Sequence, residues 1–167
     1  VAIYILPSVV YQKFLLPKMH RWAHHGREKF YATYRHGNLV MLIIGIIAMI
    51  IVWISATWAI PFLFGANYTD SVQLLNILAL SIPVIFVASS VGATLVTKEH
   101  MKNKVKYMGS VAVFNILLNI IIIPIYGAIG AAIATVMSNI LLLLLYRRAA
   151  QKLVFSLDIK VNLKGNE

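Results

Sequence analysis

The 40 residues Tyr107–Tyr146, YMGSVAVFNILLNIIIIPIYGAIGAAIATVMSNILLLLLY, carry no charged side chain. Roughly 20 apolar residues cross a bilayer, because ~30 Å of hydrocarbon is covered at about 1.5 Å per helical residue. One crossing cannot use 40, so the run must turn back. Pro124, Gly127 and Gly130, within IIIIPIYGAIGAA, mark a tight turn. It divides the run into spans over about 107–123 and 128–146.

The same reading extends upstream. Leu39 to Ile60 contains no charge and is long enough to span alone (39–60). Ser71 to Thr97 is bounded by Asp70 and Lys98 and is equally free of charge (71–97). Its Pro83 predicts a kink, which a membrane helix tolerates. Residues 1–12 read as the end of a further helix. The expected fold is all-α, a polytopic transmembrane bundle of four complete spans plus the end of a fifth. The chain begins Val1-Ala2-Ile3 inside an apolar stretch that no basic region precedes. It therefore reads as a piece of a longer membrane protein and not as a signal peptide.

Composition agrees. Hydrophobic residues make up 60% and charged residues 12%, with mean hydropathy +0.83. Soluble domains sit nearer about 45–50% and ~25%, so a water-soluble globular fold is excluded. Lys and Arg total 15 against 5 acids, a formal net charge of +10. Such an excess can mean nucleic acid. Here the basic residues fall between the apolar runs, which points to a membrane surface and to lipid, with no nucleic-acid partner. Cysteine is absent, so disulfides, thiolate metal sites and a cysteine nucleophile are ruled out.

Charge also predicts sidedness. Segment 11–38 holds Lys13, Lys18, Arg21, Arg27, Lys29 and Arg35; segment 98–106 holds Lys98, Lys102, Lys104 and Lys106. The tail 147–167 holds Arg147, Arg148, Lys152, Lys160 and Lys164, which completes the 15. The loops 61–70 and 124–130 hold only Asp70. Lys and Arg stay cytoplasmic, so the tail is expected inside and the Pro124–Gly130 turn outside. Trp58 and Tyr68 then fall at outer boundaries and Tyr107 and Tyr146 at inner ones, levels that aromatic rings with a polar edge favour.

No catalytic constellation is visible. His20 and His24 stand at i and i+4, a metal-binding spacing, but zinc sites need three or four converging ligands and no acid completes the turn. A basic amphipathic stretch begun at Pro17 and interrupted at Gly26 explains these residues better, so neither metal nor cofactor is expected. No phosphate-binding loop occurs, and Asp70 and Glu99 are lone boundary acids. The spans instead carry neutral polar residues at helical spacing. Asn115 and Asn119 share one helix face. Gly127, Ala131, Thr135 and Asn139 recur every fourth residue, with Gly130, Ala134 and Ser138 beside them. Small residues in such rows let membrane helices pack closely. The amides must face a neighbouring helix or a water-filled cavity. The small-residue rows offer them few partners, which favours the cavity and makes Asn115, Asn119, Thr135 and Asn139 the candidate lining.

Taken in order, these features resemble the C-terminal half of the polysaccharide and O-antigen flippases (Wzx type) of the multidrug/oligosaccharidyl-lipid/polysaccharide exporter superfamily. The pattern N-x3-N-x4-P-x2-G-x2-G-A-A-x-A-T is carried by Asn115, Asn119, Pro124, Gly127, Gly130, Ala131, Ala132, Ala134 and Thr135. F-G-x2-Y with L-x-I-L-A is carried by Phe64, Gly65, Tyr68, Leu75, Ile77, Leu78 and Ala79, and LLPKMHRWAHHGREKF looks like the family's basic segment. The resemblance covers residues 1–155. It implies a transporter of two pseudo-symmetric halves in the bacterial inner membrane, of which this chain supplies about the last third. It also implies a lipid-linked oligosaccharide as cargo, with the missing N-terminal helices and other polysaccharide-assembly proteins as partners, and no enzymatic activity. A drug or small-solute antiporter of the same superfamily is the alternative, expected to carry a membrane-embedded acid. A membrane enzyme of glycan assembly is the third reading, expected to have a large outer loop bearing catalytic groups.

Overall fold

The computed structural model of the chain describes residues 27–93, 95 and 98–155, with side chains from residue 34 except at 66, 98–100 and 153–155. The end of a fifth span at 1–12, the histidines at 20, 24 and 25, and the tail beyond 155 lie outside the described residues. Within them the chain is helical. Helix α1 is Arg27–Phe64, a 3-10 turn covers Ala66–Tyr68, α2 is Asp70–Ala79, α3 is Ser81–Ala93 and α4 is Lys98–Ala149. A π-helical turn, Ala150–Phe155, follows. Such apolar runs become helices because each backbone N–H and C=O must find its partner within the segment.

Three stretches are long and apolar enough to cross a membrane: Tyr34–Phe64, Asp70–Ala93 and Met101–Lys152. They identify a membrane protein. The expectation of four separate spans is thus replaced by three apolar stretches, because the third stays helical on both sides of its turn.

Two boundaries move for reasons of proline chemistry. The loop expected at 61–70 starts later, since α1 continues through Pro61 to Phe64. Pro61 costs the helix only its own bond to the Thr57 carbonyl. The Gly65 N–H bonds the Pro61 carbonyl at 2.9 Å and closes the last turn, and Gly65 then leaves the helix at φ 92°. The expected single kinked span 71–97 is present as one apolar stretch, Asp70–Ala93, interrupted at Leu80 between α2 and α3. Pro83 can donate no hydrogen bond to Ala79, and its ring crowds that carbonyl, so the break falls one turn upstream. The Leu80 N–H and the Ser81 hydroxyl satisfy the Ile77 and Leu78 carbonyls, at 3.1 and 2.6 Å. Segment 98–106, expected as a loop, is the first part of α4.

Helix α1 pairs antiparallel with α2 and α3. Asn38 bonds Ser90, Gly45 meets Pro83, and Trp53 bonds Asn76. The paired numbers advance on one helix as they fall on the other, so the register is continuous. Helix α4 folds back on itself. Straight, its 52 residues would reach about 78 Å. Yet the side chains of Asn115 and Ser138, 23 residues apart, are hydrogen-bonded at 3.0 Å. In an unbroken helix they would stand about 34 Å apart. The reversal occurs at Gly127 (φ 57°, ψ −136°), the only non-helical conformation inside α4. That conformation belongs to the first central position of a type II′ turn, where glycine is demanded.

Helix α3 lies at the centre. Met41, Ala79, Ile82 and Phe86 form one apolar cluster, and Val87, Val91, Leu95, Tyr146 and Ala150 a second. Outward faces of α1 and α4 remain apolar: Phe62 is 80% exposed, Ile125 69% and Ile54 67%. Apolar surface so extensive needs lipid or further helices against it. The two antiparallel pairings gather Arg35, Lys102, Lys104, Lys106, Arg147, Arg148 and Lys152 at one end and leave Asp70 at the other.

Candidate functional site

The four proposed cavity residues do not form one site. Asn115 and Asn119 belong to a directional hydrogen-bond ladder between the arms of α4. The Asn119 amide donates to both the carbonyl oxygen and Oδ1 of Asn115, at 2.9 and 3.0 Å. Asn115 Nδ2 donates to Ser138 Oγ at 3.0 Å, and Ser138 donates to the Ala134 carbonyl at 2.7 Å. Each donor atom in this series has a hydrogen-bond partner. The spare group is an acceptor, Asn119 Oδ1, buried and without a hydrogen-bond partner among the described residues. A buried amide oxygen left unpaired costs about 1–3 kcal/mol, so the position favours any hydroxyl or water that can reach it.

A shallow, open apolar surface adjoins that end of the ladder, formed by Ile116, Asn119, Ile120, Ile123 and Pro124. All five lie on the first arm of α4 as it approaches its turn. Pro124 and Gly127 are exposed there, whereas Gly130 is buried. A Cβ on Gly130 would lie 2.7 Å from the Ile122 carbonyl oxygen, so this glycine sets how closely the two arms meet.

Thr135 and Asn139 are placed elsewhere. Thr135 Oγ1 donates to the Ala131 carbonyl at 2.8 Å, a bond within its own helix that uses its proton locally. Asn139 borders a cavity of about 280 Å³ between α3 and the two arms of α4 at the basic end. Ser89, Lys104 and Tyr146 border it too. Gly92 makes room for it: a Cβ there would stand 2.8 Å from the Tyr146 ring and 3.7 Å from the Lys104 side chain.

Three contributors escape the sequence reading. Ser138 belongs to a small-residue row, yet it both accepts from Asn115 and donates to its own helix. Its position opposite Asn115 becomes visible only once the turn is fixed at Gly127. The Asn38–Ser90 bond, 2.6 Å, joins α1 to α3 where Ser90 is fully buried; no local pattern marks that pair. Gly45 did carry a signal, a lone glycine in an isoleucine-rich helix, which often marks a close approach. Asn76 Oδ1 is a further buried acceptor without a partner among the described residues. No group of three or more potential metal ligands occurs among the described residues.

The arrangement offers neutral acceptors and donors inside apolar helices, with cations confined to one end. It suits recognition of hydroxyl-rich or amide-bearing groups. No family model, curated protein or solved structure matches the chain.

Proposed function

We propose that this chain is the C-terminal part of a flippase that moves undecaprenyl-pyrophosphate-linked oligosaccharides across the bacterial inner membrane, for surface polysaccharide assembly. The motifs around Asn115–Thr135 and Phe64–Ala79 suggest the family. The observation that carries the reading to this molecule is the Asn119–Asn115–Ser138 ladder with its spare buried acceptor. A glycan cannot shed its hydroxyl hydrogen bonds into hydrocarbon without a large cost. Neutral amides replace those bonds without holding the sugar by charge, while the lipid tail stays in the bilayer.

On this reading α4 crosses twice, since it doubles back at Gly127, and the described helices make four crossings. The basic end faces the cytoplasm with the C-terminus. The apolar faces of α1 and α4 meet lipid and the N-terminal helices of the same protein.

The test is thiol accessibility. In the full-length protein, with any other cysteine removed, Asn119→Cys is expected to react with a small membrane-impermeant thiol reagent. Its reactivity should fall when the lipid-linked oligosaccharide accumulates. Complete protection in every condition, in protein that still supports polysaccharide export, would assign the ladder to helix packing alone and overturn this reading.

A further inference from the structure

The cavity at the basic end is separate from the ladder and has a different chemistry. Its walls are the apolar Ile85 and Leu142, and its polar members are Ser89, Lys104, Asn139 and Tyr146. One cation, one amide and two hydroxyl-bearing residues therefore meet in an apolar recess, with no Asp or Glu among its lining residues. Lys104 is partly buried, unlike its exposed neighbours Lys102 and Lys106. A lysine stem commonly lies along apolar surface while its head seeks water or a counter-charge. Here the stem passes close to Gly92, where even a Cβ would make only ordinary contact with it at 3.7 Å, while the Tyr146 ring packs tightly on that glycine.

We propose that this cavity seats the phosphate of an anionic membrane lipid. Among the described residues no carboxylate lines the recess beside this partly buried ammonium, and such a charge calls for an anionic partner. Donors from Ser89, Asn139 and Tyr146 complement phosphate oxygens, as charge-assisted hydrogen bonds do elsewhere. The membrane decides the source of the phosphate. Lys104 stands three residues before the apolar run that opens at Tyr107, and Tyr146 closes that run, so both lie at the headgroup level. A recess of about 280 Å³ admits a headgroup and not a whole lipid, and the apolar walls lead the acyl chains back to the bilayer. Exposed Lys102, Lys106, Arg147 and Arg148 at the same end raise the local concentration of anionic lipid.

This inference rests on the membrane placement and the cavity, and not on the transported cargo. The experiment reads retained lipid and not export, so the two readings fail independently. The intact protein is purified in detergent and supplied with equal amounts of phosphatidylglycerol and phosphatidylcholine, and the lipid retained on it is counted by native mass spectrometry. The wild type is expected to retain one phosphatidylglycerol about tenfold in preference to phosphatidylcholine, the factor that a charged hydrogen bond commonly confers. Lys104→Gln should abolish the preference, Lys104→Arg should keep it, and Lys102→Gln should leave it unchanged. Millimolar inorganic phosphate should not release the lipid. Equal retention of both lipids by the wild type would overturn the proposal without recourse to any variant. So would equal losses in Lys104→Gln and Lys102→Gln, and release by inorganic phosphate would make this a site for soluble anions instead.

Discussion

Replacing Gly45 by alanine tests the closest approach in the fold. A Cβ at this position would fall 2.6 Å from Pro83 Cα, 3.2 Å from Pro83 Cβ and 3.3 Å from Phe86 Cβ. Carbon atoms in contact stand about 3.5–4.0 Å apart. The nearest of these atoms is backbone, so relief requires α1 and α3 to part by about 1 Å. Overpacking of this kind costs about 1–3 kcal/mol. Alanine recovers about 0.5–1 kcal/mol of helix propensity over glycine. The balance is a destabilisation of up to about 2.5 kcal/mol. Gly109→Ala is the matched control, because nothing lies within 4 Å of its new Cβ and only the propensity gain applies. Thermal stability in detergent, read as the fraction still monodisperse after heating, should fall for Gly45→Ala and hold or rise for Gly109→Ala. A chain of this size loses about 2–4 °C per kcal/mol. The same parting strains the Asn38–Ser90 bond, so Ser90→Ala should cost less in the Gly45→Ala background than alone. Equal melting of the two glycine variants, or strict additivity with Ser90→Ala, would refute the close approach.

Three further outcomes are expected. Gly127→Ala forces a side chain into a left-handed conformation and should cost about 1–3 kcal/mol, while Gly130→Leu should lower the folded yield because its Cβ meets the Ile122 backbone; normal yield with selective loss of export would instead give Gly130 a direct part in transport. A reporter fused after Lys152 should behave as cytoplasmic and one inserted at 66–68 as periplasmic, and the reverse pattern would discard the orientation.

Length and charge made the broad architecture readable. A 40-residue apolar run has to turn, and glycine at 127 is where it does. Proline positions were readable too, but their consequences were displaced: Pro83 breaks the chain at Leu80, one turn upstream, because the group it deprives is the carbonyl four residues earlier. Pro61 produces no break, and α1 runs on past it to Phe64. The candidate site was legible only in part. Helical spacing put Asn115 and Asn119 on one face. Spacing along one helix cannot say which residue of the returning arm lies opposite, so neither the pairing of Ser138 with Asn115 nor the place of Asn139 in a separate recess is legible from it. The cavity around Lys104 needs Gly92, Asn139 and Tyr146 from distant parts of the chain, and no local pattern contains that coincidence.

The two hairpin-like pairings bear on how the chain enters a membrane. Each joins neighbours in sequence: α1 meets α2 and α3 across the short connection at 65–69, and the arms of α4 meet across Gly127. Closing so small a loop costs little entropy, so each pair can assemble as it emerges, before the rest of the chain exists. In the orientation proposed above, the connections carried across the bilayer hold a single charged side chain, Asp70, while the described lysines and arginines from residue 34 onward stay with the other ends. Insertion in pairs thus translocates almost no charge. The same separation makes the wrong orientation expensive, since it would drag several ammonium and guanidinium groups through hydrocarbon at about 2.5–3.5 kcal/mol apiece even on the insertion-derived scale. In the proposed orientation, the charge separation thus fixes the sidedness of each pair as it inserts.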